Sequence, residues 1–227
     1  MSNSPLFNLR YYFRLFIYLV VLNGFSLSYA GSFEDYFKAV KLDDAAEVRA
    51  LLQRGFDVNT LNDQGEHGLV LAVRQSSLKV VAVLLGWPKI NVEMRTRQDE
   101  SALMLAALKG LTALCVQLIE KDADVNKPGW TPLHYAASQS QLEVMHLLLE
   151  HSAYIDAASP NGTTPLMMAA KYGNASAVKI LLEAGADPTV KNELALTALD
   201  FAHQGQRPDS AAIISAFIRG RQPKGSW

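Results

Sequence analysis

Residues 129–137 read Gly129-Trp130-Thr131-Pro132-Leu133-His134-Tyr135-Ala136-Ala137, and their reading decides the fold. Thr131 suits the N-cap of a helix, where its hydroxyl accepts a bond from an early backbone N–H. Pro132 suits the first helical position, which needs no N–H and whose φ the ring already sets. Leu133, Ala136 and Ala137 follow at three- and four-residue spacing and make one apolar stripe. The two alanines are small enough to let a neighbouring helix approach closely. Residues 142–149 then carry a second apolar helical pattern. Two short helices back to back cannot bury both faces alone, so they need copies stacked beside them.

The copies are present. Taking Thr131 as the cap position, its equivalents are His67, Ser101, Thr164 and Thr197, at successive steps of 34, 30, 33 and 33 residues. Five residues after each cap stands an alanine: Ala72, Ala106, Ala136, Ala169 and Ala202. Seventeen and eighteen residues after the cap come Leu84-Leu85, Leu118-Ile119, Leu148-Leu149 and Leu181-Leu182. Counting back from Leu51-Leu52 places a further copy with Glu34 at the cap and Ala39 five residues on. The last copy keeps its first helix at 198–203, and an insertion at 204–209 displaces its second helix to about 211–218.

Residues 131–136 spell Thr-Pro-Leu-His-Tyr-Ala, and with a period near thirty-three residues the chain resembles the ankyrin-repeat family. Ala123-Asp124-Val125-Asn126 and Gly185-Ala186-Asp187-Pro188 resemble the turn that follows the family's second helix. The resemblance implies an all-α solenoid of about six helix-turn-helix repeats with short hairpin fingers. These fall at about 33–61, 62–94, 95–126, 127–158, 159–190 and 191–219, within a repeat domain at 31–220. It implies structural roles for Thr131, Pro132, Thr164, Pro165 and Gly185, and a His134 that ties neighbouring repeats together by hydrogen bonds.

Residues 1–30 differ in composition. Arg10 and Arg14 are their only charges, residues 15–22 are unbroken apolar, and Ser28-Tyr29-Ala30 puts small residues three and one before a cut. This is the layout of a secretory signal peptide, and the apolar core is shorter than the ~20 residues a spanning helix wants. Cleavage after Ala30 and export, to a periplasm in a bacterium, is the expectation. The alternatives are secretion, or an uncleaved anchor that brings the repeats to a membrane. Removing these residues takes the formal net charge from −1 to −3, a mild value that gives no electrostatic case for nucleic acid.

Irregularities mark individual repeats. The polar first repeat suits an end cap that meets water on one flank, and Gly55 suits a left-handed closure of its second helix. His67-Gly68 stands where Thr-Pro would, so poorer capping is expected there. Asp122 replaces the usual glycine in the third repeat. The turn of the fourth, Asn126-Lys127-Pro128-Gly129, is about three residues short, so a stubbier finger is expected. Residues 221–227 read as a mobile basic tail.

The residues that could carry chemistry have plain roles available. Cys115 is the sole cysteine, sits among Leu114, Val116 and Leu118, and reads as a small buried packing residue. No metal-ligand spacing, serine elbow, P-loop or dinucleotide glycine string is present, so no cofactor, metal or catalytic residue is expected. Asp43-Asp44 reads as a solvated helix start. Lys89, Arg95 and Arg97 form a basic cluster that an acidic partner surface or membrane headgroups could use and whose plain reading is finger solubility.

Function is therefore expected from position. In such a stack the inner helices and finger tips form one concave face. The residue before each cap (Glu66, Glu100, Trp130, Thr163, Leu196) is expected to point from its finger. Residues seven and eight after the cap end the inner helix on the same side. Trp130 and Tyr172 are the candidate aromatic anchors, joined by Lys171, Gln139, Lys109, Arg74, Glu100 and Thr163. The leading expectation is a non-enzymatic exported module that grips another protein, of unstated identity, through this face. A secreted effector acting on a host protein and a small hydrolase using a histidine and a carboxylate are the alternatives.

Overall fold

The computed structural model describes residues 31–221. The expected signal segment at 1–30, and residues 222–227 of the expected tail, lie outside them. A helix at 31–41, α1, opens the chain. It is followed by α2 (Ala45–Gln53), α3 (Gly68–Gln75), α4 (Leu78–Leu85), α5 (Ala102–Leu108), α6 (Thr112–Ile119), α7 (Pro132–Ser138), α8 (Leu142–Glu150), α9 (Pro165–Lys171), α10 (Ala175–Glu183), α11 (Ala198–Gln204) and α12 (Pro208–Arg221). The odd-numbered helices make an inner row and the even-numbered ones an outer row, and each pair packs on the next. No named strand occurs among the described residues, where the single bridge pairs Leu61 with His67. No helix there is long and apolar enough to cross a membrane.

The alanine and leucine repeats build the core. Ala72, Ala106, Ala136, Ala169 and Ala202 are all fully buried, which lets successive inner helices touch along small side chains. Leu51, Leu84, Leu118, Leu148 and Leu181 are each 2% exposed or less and belong to one continuous core, as the expected layering requires. Each contributes about 1.5–3 kcal/mol by leaving water. Cys115 fills a gap in this core with no exposure, and burial pushes its thiol up to about 12, so it is inert packing.

Capping varies by repeat. Ser101 Oγ accepts from the Met104 amide at 3.2 Å and Thr164 Oγ1 from the Met167 amide at 3.4 Å. Thr197 and Asp200 cap each other reciprocally, the Thr197 amide and hydroxyl both donating to Asp200 Oδ2 at 2.7 Å. Thr131 caps α7 in a capping box with His134, and its hydroxyl also meets His134 Nδ1 at 2.9 Å.

His67-Gly68 is not the weak cap expected. His67 is fully buried, its Nδ1 accepts from the Leu69 amide at 3.2 Å, and its Nε2 lies 3.3 Å from Asn59 Oδ1. Gly68 is a packing requirement. A Cβ there would fall 2.3 Å from the hydroxyl oxygen of Tyr36. Tyr36 in turn stacks on Phe56 with centroids 4.5 Å apart.

A ladder of side-chain-to-backbone bonds ties the turns between repeats. Asn59 Oδ1 accepts from the Asn91 amide, Glu93 Oε1 from Asp124, Asn126 Oδ1 from Tyr154, and both Asp156 oxygens from Asp187. Asp44 N-caps α2 as expected, but Asp43 does more. It turns in the left-handed region at φ 55° and its Oδ1 accepts from Val80 at the start of α4. Gly55 and Gly185 adopt φ of 97° and 107° and close α2 and α10, and Asp122 does the same for α6 at 64°. The end of the chain corrects the expectation. α12 starts at Pro208 and runs through Arg221, so only a three-residue link at 205–207 separates it from α11, and Arg221 is helical.

Candidate binding surface

The fingers share one construction, with a single exception. Five residues before the cap, Asn62, Thr96, Ser159 and Asn192 carry short polar side chains whose oxygen accepts the amide of the residue just before the cap. These bonds run from Glu66 at 2.8 Å, Glu100 at 3.2 Å, Thr163 at 3.0 Å and Leu196 at 3.0 Å. The residue two before the cap turns at positive φ (Gly65, Asp99, Gly162, Ala195), and its amide bonds back to the carbonyl five before the cap. The tips are therefore Gln64, Gln98, Asn161 and Leu194, all exposed.

That corrects where the side chains just before the caps go. Thr163 is 2% exposed, and its carbonyl receives the His134 Nε2 bond at 2.8 Å, so its side chain faces the stack rather than a partner. Glu66 and Glu100 are drawn inward by Arg74, whose Nη2 lies 3.1 Å from Glu66 Oε1 and 2.9 Å from Glu100 Oε2. Tyr135 adds its hydroxyl to Glu100 Oε1 at 3.3 Å, and burial followed by the Glu100 charge pushes that phenol up to about 12. Arg74, Glu100 and Tyr135 thus form one ionic patch on the inner face across three repeats, with Arg74 Nε left without a partner among the described residues.

The third finger is the exception. It lacks the three residues that hold the polar turn side chain, and Lys127 takes over from the opposite direction. Its ammonium donates to the carbonyls of Pro128 and Trp130, both at 2.9 Å, and pairs with Asp99 of the preceding finger. The Lys127 side chain is 1% exposed. Burial pulls the Asp99 carboxyl up, but the Lys127 and Arg95 charges outweigh it and hold it below the usual range. Trp130 is half-buried rather than free-standing, with its ring edge-to-face on the His134 imidazole at 5.1 Å. The Thr131 amide donates to His134 Nδ1 at 3.1 Å, which fixes the proton on Nε2 and makes His134 a donor to the next repeat.

Farther along the inner face, Tyr172 is 52% exposed and Lys171 Nζ sits 5.4 Å from its ring centroid and 5.6 Å from that of Phe201. Lys171 also donates to Gln204 Oε1 at 3.2 Å and Lys109 to Ser76 Oγ at 3.1 Å, each reaching the adjacent repeat, while Gln139 is exposed. Within the expected basic cluster Arg95 pairs with Glu93 and Asp99, and Arg97 donates to the Asp63 carbonyl. Among the described residues no group of histidine, cysteine or acidic side chains could hold a metal. A groove of about 330 Å³ opens on the outer row between α4 and α6, over Leu78, Val81, Leu111 and Leu114. Lys127 and Tyr135 are the residues that sequence reasoning missed. The signal for Lys127 was the one short turn, in which Asn126, five before the cap, is spent on the next repeat's turn at Ser152 and Tyr154.

Comparison with known proteins agrees with this architecture. A family model described as ankyrin repeats, three copies, matches residues 88–159, 103–192 and 154–214. The chain is 34% identical over 161 residues to the nuclear factor NF-kappa-B p105 subunit of Gallus gallus, covering 68% of this chain and 16% of that protein. It is 35% identical over 122 residues to the neurogenic locus notch homolog protein 1 of Xenopus tropicalis, covering 52% of this chain and 5% of that protein. The chain therefore spans less than a fifth of the length of these curated relatives. Among solved structures it is similar to an immunity protein seen in complex with a predatory endopeptidase from Bdellovibrio bacteriovorus. That match has a TM-score of 0.70 and 28% identity, and covers 80% of this chain and 97% of the other.

Proposed function

This chain belongs to the ankyrin-repeat family, and from that premise we propose that it is an exported, non-enzymatic module that binds a partner protein through its inner face and fingers. The partner class favoured is an endopeptidase, held in a stoichiometric complex. One observation carries this reading: the chain spans 97% of an immunity protein whose structure was solved with an endopeptidase bound. The surface chemistry supports it. By register Trp130 and Tyr172 belong to the same face, and the Arg74–Glu100–Tyr135 patch runs from the second repeat into Trp130's own. Aromatic anchors flanked by polar groups are what a specific protein interface uses.

Export rests on the pattern of residues 1–30, and N-terminal sequencing of the mature protein is expected to begin at Gly31. For the partner, the chain is co-expressed with each endopeptidase of its own organism and recovered by affinity. A one-to-one complex with suppressed peptidase turnover is expected. Trp130→Ala combined with Tyr172→Ala is expected to leave circular dichroism nearly unchanged, to lower melting only modestly through the lost Trp130 contact with His134, and to abolish capture. Equal capture by wild type and double variant contradicts the face assignment. Full peptidase activity in every pairing contradicts the partner class.

A further inference from the structure

In four fingers the two amides nearest the cap are spent internally. Gly65, Asp99, Gly162 and Ala195 donate to backbone carbonyls, and Glu66, Glu100, Thr163 and Leu196 donate to the turn side chain. At the equivalent places in the third finger stand Gly129, at φ 80°, and Trp130. Among the described residues, neither amide donates to any protein acceptor. The reason is Lys127. A buried ammonium has only donors, so the finger closes by turning its carbonyls inward, and no acceptor is left for its N–H groups. The loop is not loose for lack of these bonds. It is held to the second finger through Asp99 and to α7 through the Trp130 ring on His134, and Gly129 lies against Pro160 of the fourth finger.

We infer that the third finger is the recognition element of the inner face. Its paired free amides at Gly129 and Trp130 take main-chain carbonyl oxygens of an extended partner segment, and the half-exposed indole takes an apolar side chain of that segment. Lys127 is the positioning residue that sets this polarity. The chemistry follows from the donor count. Unpaired backbone donors on a fixed loop exchange water for a partner carbonyl at little ordering cost, and a rigid aromatic beside them adds apolar contact. In the other four fingers the two amides at these places are already spent inside the turn. This inference rests on the proposed binding role and assigns the part of the face that reads the partner.

The first test needs no partner. Backbone amide exchange of the full chain is measured residue by residue. Gly129 and Trp130 are expected to exchange much faster than Gly162 and Thr163, their equivalents in the next finger. Equal protection of the two pairs overturns the inference. The second test uses a displayed library of random peptides as the probe, selected on the full chain and titrated against variants. Trp130→Ala and Lys127→Met are each expected to weaken the selected peptides by about tenfold or more. Asp99→Asn, whose own side chain is solvent-facing, keeps the fold and is expected to weaken them less. Binding is expected to slow exchange at the Gly129 and Trp130 amides. Peptides that depend on Tyr172→Ala but ignore Trp130→Ala and Lys127→Met overturn the finger assignment and leave the inner-face reading standing. Peptides indifferent to all of these variants, or no enrichment at all, overturn both.

Discussion

The second repeat offers a prediction that runs against repeat consensus. Gly68 stands at the first turn of α3, where alanine or proline is the usual helix-favouring choice. Replacing a helical glycine by alanine commonly gains up to about 1 kcal/mol. Here the new methyl would sit 2.3 Å from the Tyr36 hydroxyl oxygen and 3.0 Å from two ring carbons. Tyr36 is fully buried and cannot swing out. Overpacking of this kind costs about 1–3 kcal/mol, so the clash wins and Gly68→Ala is expected to destabilise by about 1–2 kcal/mol net. Tyr36→Phe removes the closest atom and also a buried hydroxyl that has no hydrogen-bond partner among the described residues. That change alone is expected to be neutral or mildly stabilising. In the Tyr36→Phe background the penalty of Gly68→Ala should shrink by about 1 kcal/mol, a coupling that a double-mutant cycle resolves. The assay is urea unfolding followed by circular dichroism on all four proteins, with the slope checked for constancy. Gly68→Ala stabilising the chain equally in both backgrounds refutes the packing argument.

Three further outcomes follow from the same coordinates. His67 and His134 are held down to about 4, chiefly by burial, against 6.5 for a free imidazole. The unfolded chain therefore takes up protons first, so their contribution is full above pH 6.5 and lost as pH falls towards 4, at up to about 1.4 kcal/mol per pH unit for each. A melting temperature that stays flat across that window contradicts their neutral, hydrogen-bonded roles. Leu148→Ala, in the middle of the outer row with no exposure, is expected to cost about 2–5 kcal/mol in denaturant unfolding, and a cost below about 1 kcal/mol contradicts the layered core. Asp122→Gly relieves a left-handed residue at φ 64° and should raise stability by a few tenths to about 1 kcal/mol, read from the same denaturation curves.

The architecture was legible because it rests on local, repeated signals. Alanine five residues after each cap and leucine, or Ile214 in the last layer, seventeen after are burial requirements that recur in every layer, so each copy confirms the others. What escaped reading is where one repeat compensates for another. His67-Gly68 looks like a decayed cap until Tyr36, thirty-two residues upstream, is seen filling the space and the imidazole is seen accepting the Leu69 amide. Lys127 looks like an ordinary surface lysine. Its burial depends on three acceptors converging from two fingers, a geometry that no local pattern encodes. The placement of Glu66, Glu100 and Thr163 at finger tips failed for a similar reason. The turn side chain five before each cap folds the hairpin so that its tip falls three residues before the cap, and the residue next to the cap returns to the stack. Tyr172 and Gln139 stand open as their register indicated. Trp130 reaches the same face only because its shortened loop is pinned against His134.

The central claim is that partner contact is concentrated on the inner face and fingers of this stack, with the third finger at its focus. Hydrogen exchange of the chain alone and in complex with its partner tests it most directly. The account predicts new protection at Gly129, Trp130 and the C-terminal ends of α7 and α9 around Gln139 and Tyr172, with the outer helices α4, α6, α8 and α10 unchanged. Protection centred on those outer helices, with the third finger exchanging as freely as before, contradicts it.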